Sequence, residues 1–447
     1  MREGSLEAPT RHPIEWQTPD FLDAVKIEEE MRRVFDICHG CRRCFNLCES
    51  FPRLFDLIDN SPSGELDGVN SGAFPAVVEA CTLCDMCFMT KCPYVPPHAF
   101  NLDFPHLMLR YRAAEAAQGK THFTAGQLAR TDRNGTLAAP VAPIANWASA
   151  TGNRLTRPAM EKVAGIDRRA ELPKFNMRTF VMADRREAGV VNAQAPAFGK
   201  RKVALYATCF TNYNRPQTGM AARKLLNHLG VETKVAYPAC CGMPFLEQAD
   251  LKRVAEQAEK VSAALVPLID EGYDIVALTA SCGLMLKFEW PLILPGHENI
   301  KRLSQATFDI DEYVVDVAKK NGLPAGMKPV EGGVSVHLAC HARAQNMGPK
   351  AAEMLKLLPE TQVDVIERCS GHGGTFGVLK PTFDLAMKVG KPAARTALGQ
   401  AHAHVVSDCP LAAKHLKQGM RTLDANAKPS DIAHPIELMA QAYGLLE

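Results

Sequence analysis

The chain has 447 residues, 47% of them hydrophobic, and a net charge of only +2. That length suits roughly two to four domains with ample cores, and the near-neutral balance excludes a global field for nucleic acid. Its fifteen cysteines are odd in number and clustered, which excludes the disulfide framework of a small secreted domain and points to metal or redox chemistry. The opening MREGSLEAPTRHPIEW has no apolar stretch of the kind a secretory leader carries. No uninterrupted apolar run reaches about 18 residues, so no transmembrane helix is expected.

The first element with chemistry is CHGCRRCFNLC, spacing Cys38, Cys41, Cys44 and Cys48 as C-x2-C-x2-C-x3-C. A second burst, CTLCDMCFMTKCP, spaces Cys81, Cys84, Cys87 and Cys92 as C-x2-C-x2-C-x4-C-P. Three cysteines at this spacing wrap one iron–sulfur cube, and the distal fourth reaches the other cluster. Cluster I is therefore assigned to Cys38, Cys41, Cys44 and Cys92, and cluster II to Cys81, Cys84, Cys87 and Cys48. Structural zinc uses two C-x2-4-C pairs instead, which is a different logic. Two departures from compact bacterial ferredoxin stand out: Glu49 follows Cys48 where proline is usual, and the second burst has one extra residue. Between the bursts, FPRLFDLI and FPAVVEACTLC read as helical. The region resembles the α-helical ferredoxin modules of respiratory iron–sulfur subunits.

Residues 111–200 contain no cysteine and carry fourteen Lys/Arg against seven Asp/Glu. AAPVAPIANW reads as a connector. Beyond it Leu155, Ala159, Val163 and Ile166 fall at helical spacing, with Pro158 in the first turn and Arg154, Arg157, Lys162, Arg168 and Arg169 around them. Three readings apply: a solvated helix packed on its own domain, which is favoured; an interfacial helix on an anionic membrane with Trp147 as anchor; or a docking surface for an acidic partner.

From about residue 200 strands alternate with helices, which argues for a parallel α/β sheet. KVALYATC, VETKVAYPACCG and YDIVALTASC lead to Cys209, Cys240, Cys241 and Cys282. GVSVHLAC, VDVIERC and AHVVSDC repeat the order, leading to Cys340, Cys369 and Cys409. Cys209 to Cys240 is 31 positions and Cys340 to Cys369 is 29; the following steps are 42 and 40. Such an internal repeat outweighs isolated motifs. It implies two homologous halves facing each other, with cysteines on loops at strand C-termini, where open α/β sheets bind ligands.

PACCGMPF with TASCGLM, and ERCSGHGGTFG with SDCPLAAKHL, resemble the cysteine-rich CCG domains. These occur in the heterodisulfide reductase B subunit, in glycolate and lactate oxidation systems, and in the C subunit of anaerobic glycerol-3-phosphate dehydrogenase. The order of parts is most similar to the last, over about residues 30–445. The family pattern is C…CCG…CxxC in each half. Here Met285, Ser370 and Ala412 replace three of the ten cysteines, which counts against heterodisulfide cleavage at two non-cubane clusters.

Chemistry alone favours a [4Fe–4S] cluster on Cys209, Cys240, Cys241 and Cys282, because an adjacent cysteine pair suits neither zinc nor an unstrained disulfide. Cys340, Cys369 and Cys409 leave one position that His341 or His372 could fill; otherwise the second half is a structural wing. The glycines of GHGGTFG would let backbone approach a cofactor.

The expected architecture is α+β and multidomain. An α-helical ferredoxin domain with two [4Fe–4S] clusters spans 1–110, and a basic linker with an amphipathic helix spans 111–199. Two homologous α/β CCG domains span 200–325 and 326–447, related by a pseudo-twofold axis. The expected function is an iron–sulfur electron-transfer subunit, without flavin or nicotinamide motifs of its own. It would relay electrons from a partner, a flavoprotein dehydrogenase, to a quinone (which the resemblance implies) or another carrier. No nucleic-acid partner is expected. The expected location is cytoplasmic, with peripheral contact on the inner face of a membrane as one reading. The alternative is a thiol–disulfide reductase working at the CCG cluster. A redox sensor or scaffold would need an output module, and none is evident.

Overall fold

The computed structural model describes residues 8–187 and 189–446. Its N-terminal part is helical. Asp23 caps the helix Ala24–Cys41 by accepting from the Val25 and Lys26 N–H groups, and Ile27, Met31, Val34 and Phe35 form its buried face. The helix Ser50–Asp59 buries Phe51, Leu54, Phe55 and Ile58 at the spacing the sequence implies. The helix Phe104–Ala117 starts at an Asp103 cap and closes the group.

Strands β1 (Lys202–Tyr206), β2 (Glu232–Ala236), β3 (Asp274–Ala277) and β4 (Thr307–Asp309) form one parallel sheet in the order β2-β1-β3-β4. Strands β5 (Val334–His337), β6 (Val363–Ile366) and β7 (His404–Ser407) form a second, in the order β6-β5-β7. Each sheet thus sets its first strand in the middle. In register, Tyr206 lies between Ala236 and Ala277, and His337 between Ile366 and Ser407. Parallel strands need crossover connections, and Pro216–His228, Leu251–Asp270 and Lys380–Gln400 supply them as helices. Because all strands run one way, every cysteine of the repeat emerges at the same edge of its sheet.

Two cores hold these parts together. One runs from Met31, Phe35 and Phe55 of the helical part into Tyr206, Trp290 and Leu303 of the first repeat. The other joins Leu205 and Val276 of the first sheet to Val334, Val336 and Val406 of the second. The cysteine bursts are therefore packed against the repeats rather than tethered to them.

The segment after Tyr111 is a strap of short helices. Asn176 donates to the Tyr213 and Asn214 carbonyls of the first repeat, at 2.8–2.9 Å. Asp167 N–H donates to the Val378 carbonyl of the second, also at 2.9 Å. Its helix Thr156–Ala164 differs from the amphipathic expectation. Leu155 and Val163 face solvent, whereas Arg157 is buried and donates to the Asp167 and Ala170 carbonyls at 2.7 Å. A guanidinium with several donors satisfies a turn of inward carbonyls that an aliphatic chain cannot. Only Ile166 of the stripe is buried on the protein, so this helix is held by its polar side. Among the described residues, no helix is long and apolar enough to cross a membrane.

Candidate iron–sulfur sites

Cys38 and Cys41 share the last turn of the helix Ala24–Cys41, which Arg42 ends in the left-handed region at φ 51°. Cys38, Cys41, Cys44 and Cys92 line one cavity with Phe51, Phe55 and Leu102. The second burst reaches it through a π turn, Cys87–Lys91, closed by Cys92 N–H donating to the Cys87 carbonyl at 2.8 Å. That wider turn absorbs the extra residue of C-x4-C. Burial pushes the Cys38 thiol well up, and the charges of Cys92, Cys44 and Cys41 add to it. Burial likewise pushes Cys44 up to about 12. A metal centre is what would hold such thiols as thiolates.

The second grouping crosses between the bursts. Burial, then Cys84 and Cys81, raise the Cys48 thiol. Burial, then Cys84, Cys81 and Cys48, raise Cys87. Cys84 differs: its contact with Cys340 holds its pKa down, and Cys369 is its next cysteine neighbour. Leu83 and Asp85 flank it at φ 50° and 61°. The second burst is thus inserted against the second repeat. Gly373, at φ 48°, allows this, because a Cβ there would lie 2.6 Å from Thr82, and Gly374, at φ 57°, makes room for the first CCG unit, because a Cβ there would overlap the Glu247 carboxyl. The glycine-rich loop that the sequence suggested for a cofactor admits neighbouring protein.

Cys209 opens the helix Cys209–Tyr213, Cys240 and Cys241 follow β2, and Cys282 sits in the turn of helix after β3. Cys209 and Cys240 Sγ atoms are 3.8 Å apart. Hydrogen bonding with Cys209, then with Cys241, pulls the Cys240 thiol well down. All four charges bear on Tyr206, whose hydroxyl donates to the Ala239 carbonyl at 2.6 Å. Trp290 Nε1 donates to the Cys241 carbonyl at 3.0 Å.

The remaining three cysteines divide. Cys340 and Cys369 share a hydrogen bond, which lowers Cys369 to about 7. Burial pushes Cys409 up to about 12, and Cys282 is the cysteine that bears on it. Asp408 ties their loops: its Oδ1 accepts from Ala339 N–H at 2.8 Å and its carbonyl from Ala280 N–H at 3.3 Å. Burial lowers His341, which hydrogen-bonds the Leu83 backbone. Burial lowers His372 to about 3, with the His415 ring 6.2 Å away.

These thiol-only groups fit iron–sulfur clusters in donor type and burial. A family model described as a cysteine-rich domain, CCG, matches residues 203–287 and 334–417. The C subunit of anaerobic glycerol-3-phosphate dehydrogenase from Escherichia coli (strain K12) is 28% identical over 70% of this chain and 76% of its own length. Lactate utilization protein A of Geobacillus kaustophilus is 31% identical over 40% of this chain and 74% of its own. The chain belongs to the CCG cysteine-rich family. An uncharacterized iron–sulfur protein of Methanocaldococcus jannaschii is 26% identical over 54% of this chain and 47% of its own.

Within the CCG units, the three positions without cysteine are buried: Met285, Ser370 and Ala412. Met285 opens a second π turn, Met285–Glu289. That turn delivers Glu289 to Arg11, which also grips Asp85 and Asp103. Sequence reasoning missed Arg11, Asp85, Glu289, Thr131, Asp132 and Trp290. Only Tyr206 carried a signal, as a hydroxyl in an apolar strand just before a cysteine.

Proposed function

We propose that this protein is the iron–sulfur electron-transfer subunit of an oxidoreductase, with a ferredoxin part at 1–110, a strap at 111–199 and pseudo-symmetric CCG units at 200–325 and 326–447. When bound, [4Fe–4S] clusters accept and release single electrons. Cys38, Cys41, Cys44 and Cys92 would hold cluster I, and Cys81, Cys84, Cys87 and Cys48 cluster II. Cys209, Cys240, Cys241 and Cys282 would hold a third. A second CCG site would rest on the Cys340–Cys369 pair, with Cys409, on the side of Cys282, as its third cysteine.

One observation carries this reading. The cysteine groups bear on one another electrostatically: the charge of Cys44 reaches Cys87, Cys340 and Cys369 act on Cys84, and the charge of Cys282 reaches Cys409. Neighbouring redox sites with buried surroundings suit stepwise transfer.

The relatives' names, one a part of a dehydrogenase and one a lactate utilization protein, support a partner dehydrogenase as donor, with a flavoprotein as the proposed type. A quinone is the proposed acceptor. The strap exposes Leu137, Val141, Ile144 and Trp147, a surface suited to peripheral membrane contact on the cytoplasmic face.

A second reading is a thiol–disulfide reductase. It is favoured by the Cys340–Cys369 pair, in which a hydrogen bond from Cys340 draws the Cys369 thiol down, the direction that favours a nucleophilic thiolate.

The test is anaerobic iron and sulfide quantitation with EPR, on wild type and Cys241→Ser. About twelve irons per chain falling to about eight is the expected result for three cubane clusters. About eight in both would overturn the third cluster.

A further inference from the structure

The helix Thr131–Ala138 belongs to the strap, more than seventy residues before the first CCG cysteine, yet its first turn ends at the cysteine site. Asp132 Oδ2 accepts from the Cys240 backbone N–H at 2.9 Å. Its Oδ1 accepts from the Tyr237 hydroxyl. The Thr131 hydroxyl is buried with no hydrogen-bond partner of its own, and it lies close enough to Cys209 and Cys240 to draw both thiols down. The helix cannot drift from this seat. Thr136 Oγ1 lies 3.2 Å from the Tyr213 hydroxyl, and a Cβ at Gly135 would overlap the Tyr213 ring. Tyr213 in turn ends the short helix that Cys209 opens.

These contacts have electrical consequences. An anionic group beside an iron–sulfur site disfavours the added electron, and a hydrogen bond to a ligand sulfur favours it. Asp132 brings negative charge and also takes up the Cys240 amide. Thr131 offers an O–H to sulfur. The two neighbours therefore act with opposite sign.

We propose that Thr131 and Asp132 are positioning residues that set the reduction potential of the first CCG site, Asp132 lowering it and Thr131 raising it. This rests on the reading that Cys209, Cys240, Cys241 and Cys282 hold a cluster.

The test is potentiometric EPR with iron quantitation on the full-length, cluster-loaded protein. Asp132→Asn and Thr131→Val are compared with wild type, and Cys241→Ser marks which signal belongs to this site. Asp132→Asn is expected to keep its iron and to shift that signal's midpoint upward. Thr131→Val is expected to shift it downward. The signals that survive in Cys241→Ser serve as internal standards and are expected to stay in place. Full iron with unmoved midpoints, or shifts of the same sign in both variants, would overturn the proposal alone. Equal iron in wild type and Cys241→Ser would overturn the cluster reading and this proposal together. Should Asp132→Asn lose iron, the Thr131→Val midpoint decides: a downward shift supports the proposal and an unmoved one ends it.

Discussion

Arg11 and Glu289 meet across most of the chain, Nη1 to Oε1 at 3.0 Å. The same guanidinium holds Asp85 at 2.8 Å and Asp103 at 2.8 Å. One residue near the N-terminus thereby joins the second cysteine burst to the first CCG unit. Burial alone would lower its pKa, but the three carboxylates outweigh it and hold the charge in place.

Arg11→Ala is expected to cost about 3 kcal/mol, because it strands buried carboxylates. Arg11→Lys should recover little, since an ammonium cannot fork across two carboxylates. Anaerobic thermal unfolding of the loaded protein checks this; a melting temperature unchanged in Arg11→Ala would refute it.

Gly374→Ala is expected to destabilise by about 2 kcal/mol. The added Cβ meets Glu247 at a left-handed φ of 57°, so both backbone strain and overlap apply. Gly399→Ala is the control, because open space surrounds that position within its helix. Comparable melting temperatures for both would contradict the packing described for this loop.

Three buried carboxyls make a pH prediction. Burial pushes Asp309 up to about 6 and Asp408 up to about 8. It also pushes Asp311 well up, and neither Asp311 oxygen has a hydrogen-bond partner. Folding favours the protonated form of each. Their contribution is therefore full below about pH 4 and is lost as pH rises through about 6 and about 8. Melting temperature should fall between pH 5 and pH 8.5 in wild type. Asp311→Asn should flatten that slope, and equal slopes would rule the triad out as its source.

The strap's exposed apolar residues give a binding prediction. Ile144→Glu with Trp147→Glu should abolish sedimentation with anionic vesicles while leaving iron content unchanged. Wild type that stays in the supernatant would remove the membrane reading, leaving the solvated helices.

The bursts, the repeat and the alternation of strand and helix were legible because each is a local pattern. Cysteine spacing reports what one turn can wrap, and periodicity reports which face is buried. Thus helix Ser50–Asp59 and strands β1 to β3 and β5 to β7 sit where their residues imply, whereas the three-residue edge strand β4 carried too short a pattern to read. The sites were legible only by residue type. Distance along the chain hides that Asp132 reaches Cys240, that Cys84 faces Cys340, and that Arg11 reaches Glu289. The stripe Leu155–Val163 misled for the same reason, since inward carbonyls recruited Arg157 and left the aliphatics outside.

The sequence by itself determined which residues can bind iron and that two α/β repeats follow a helical module. Only the tertiary structure decided which cysteines neighbour one another and which carboxylates and hydroxyls surround them. The reason is physical: ligand identity is a property of side chains, whereas a site's electrostatics depends on every group that packing brings within a few ångströms.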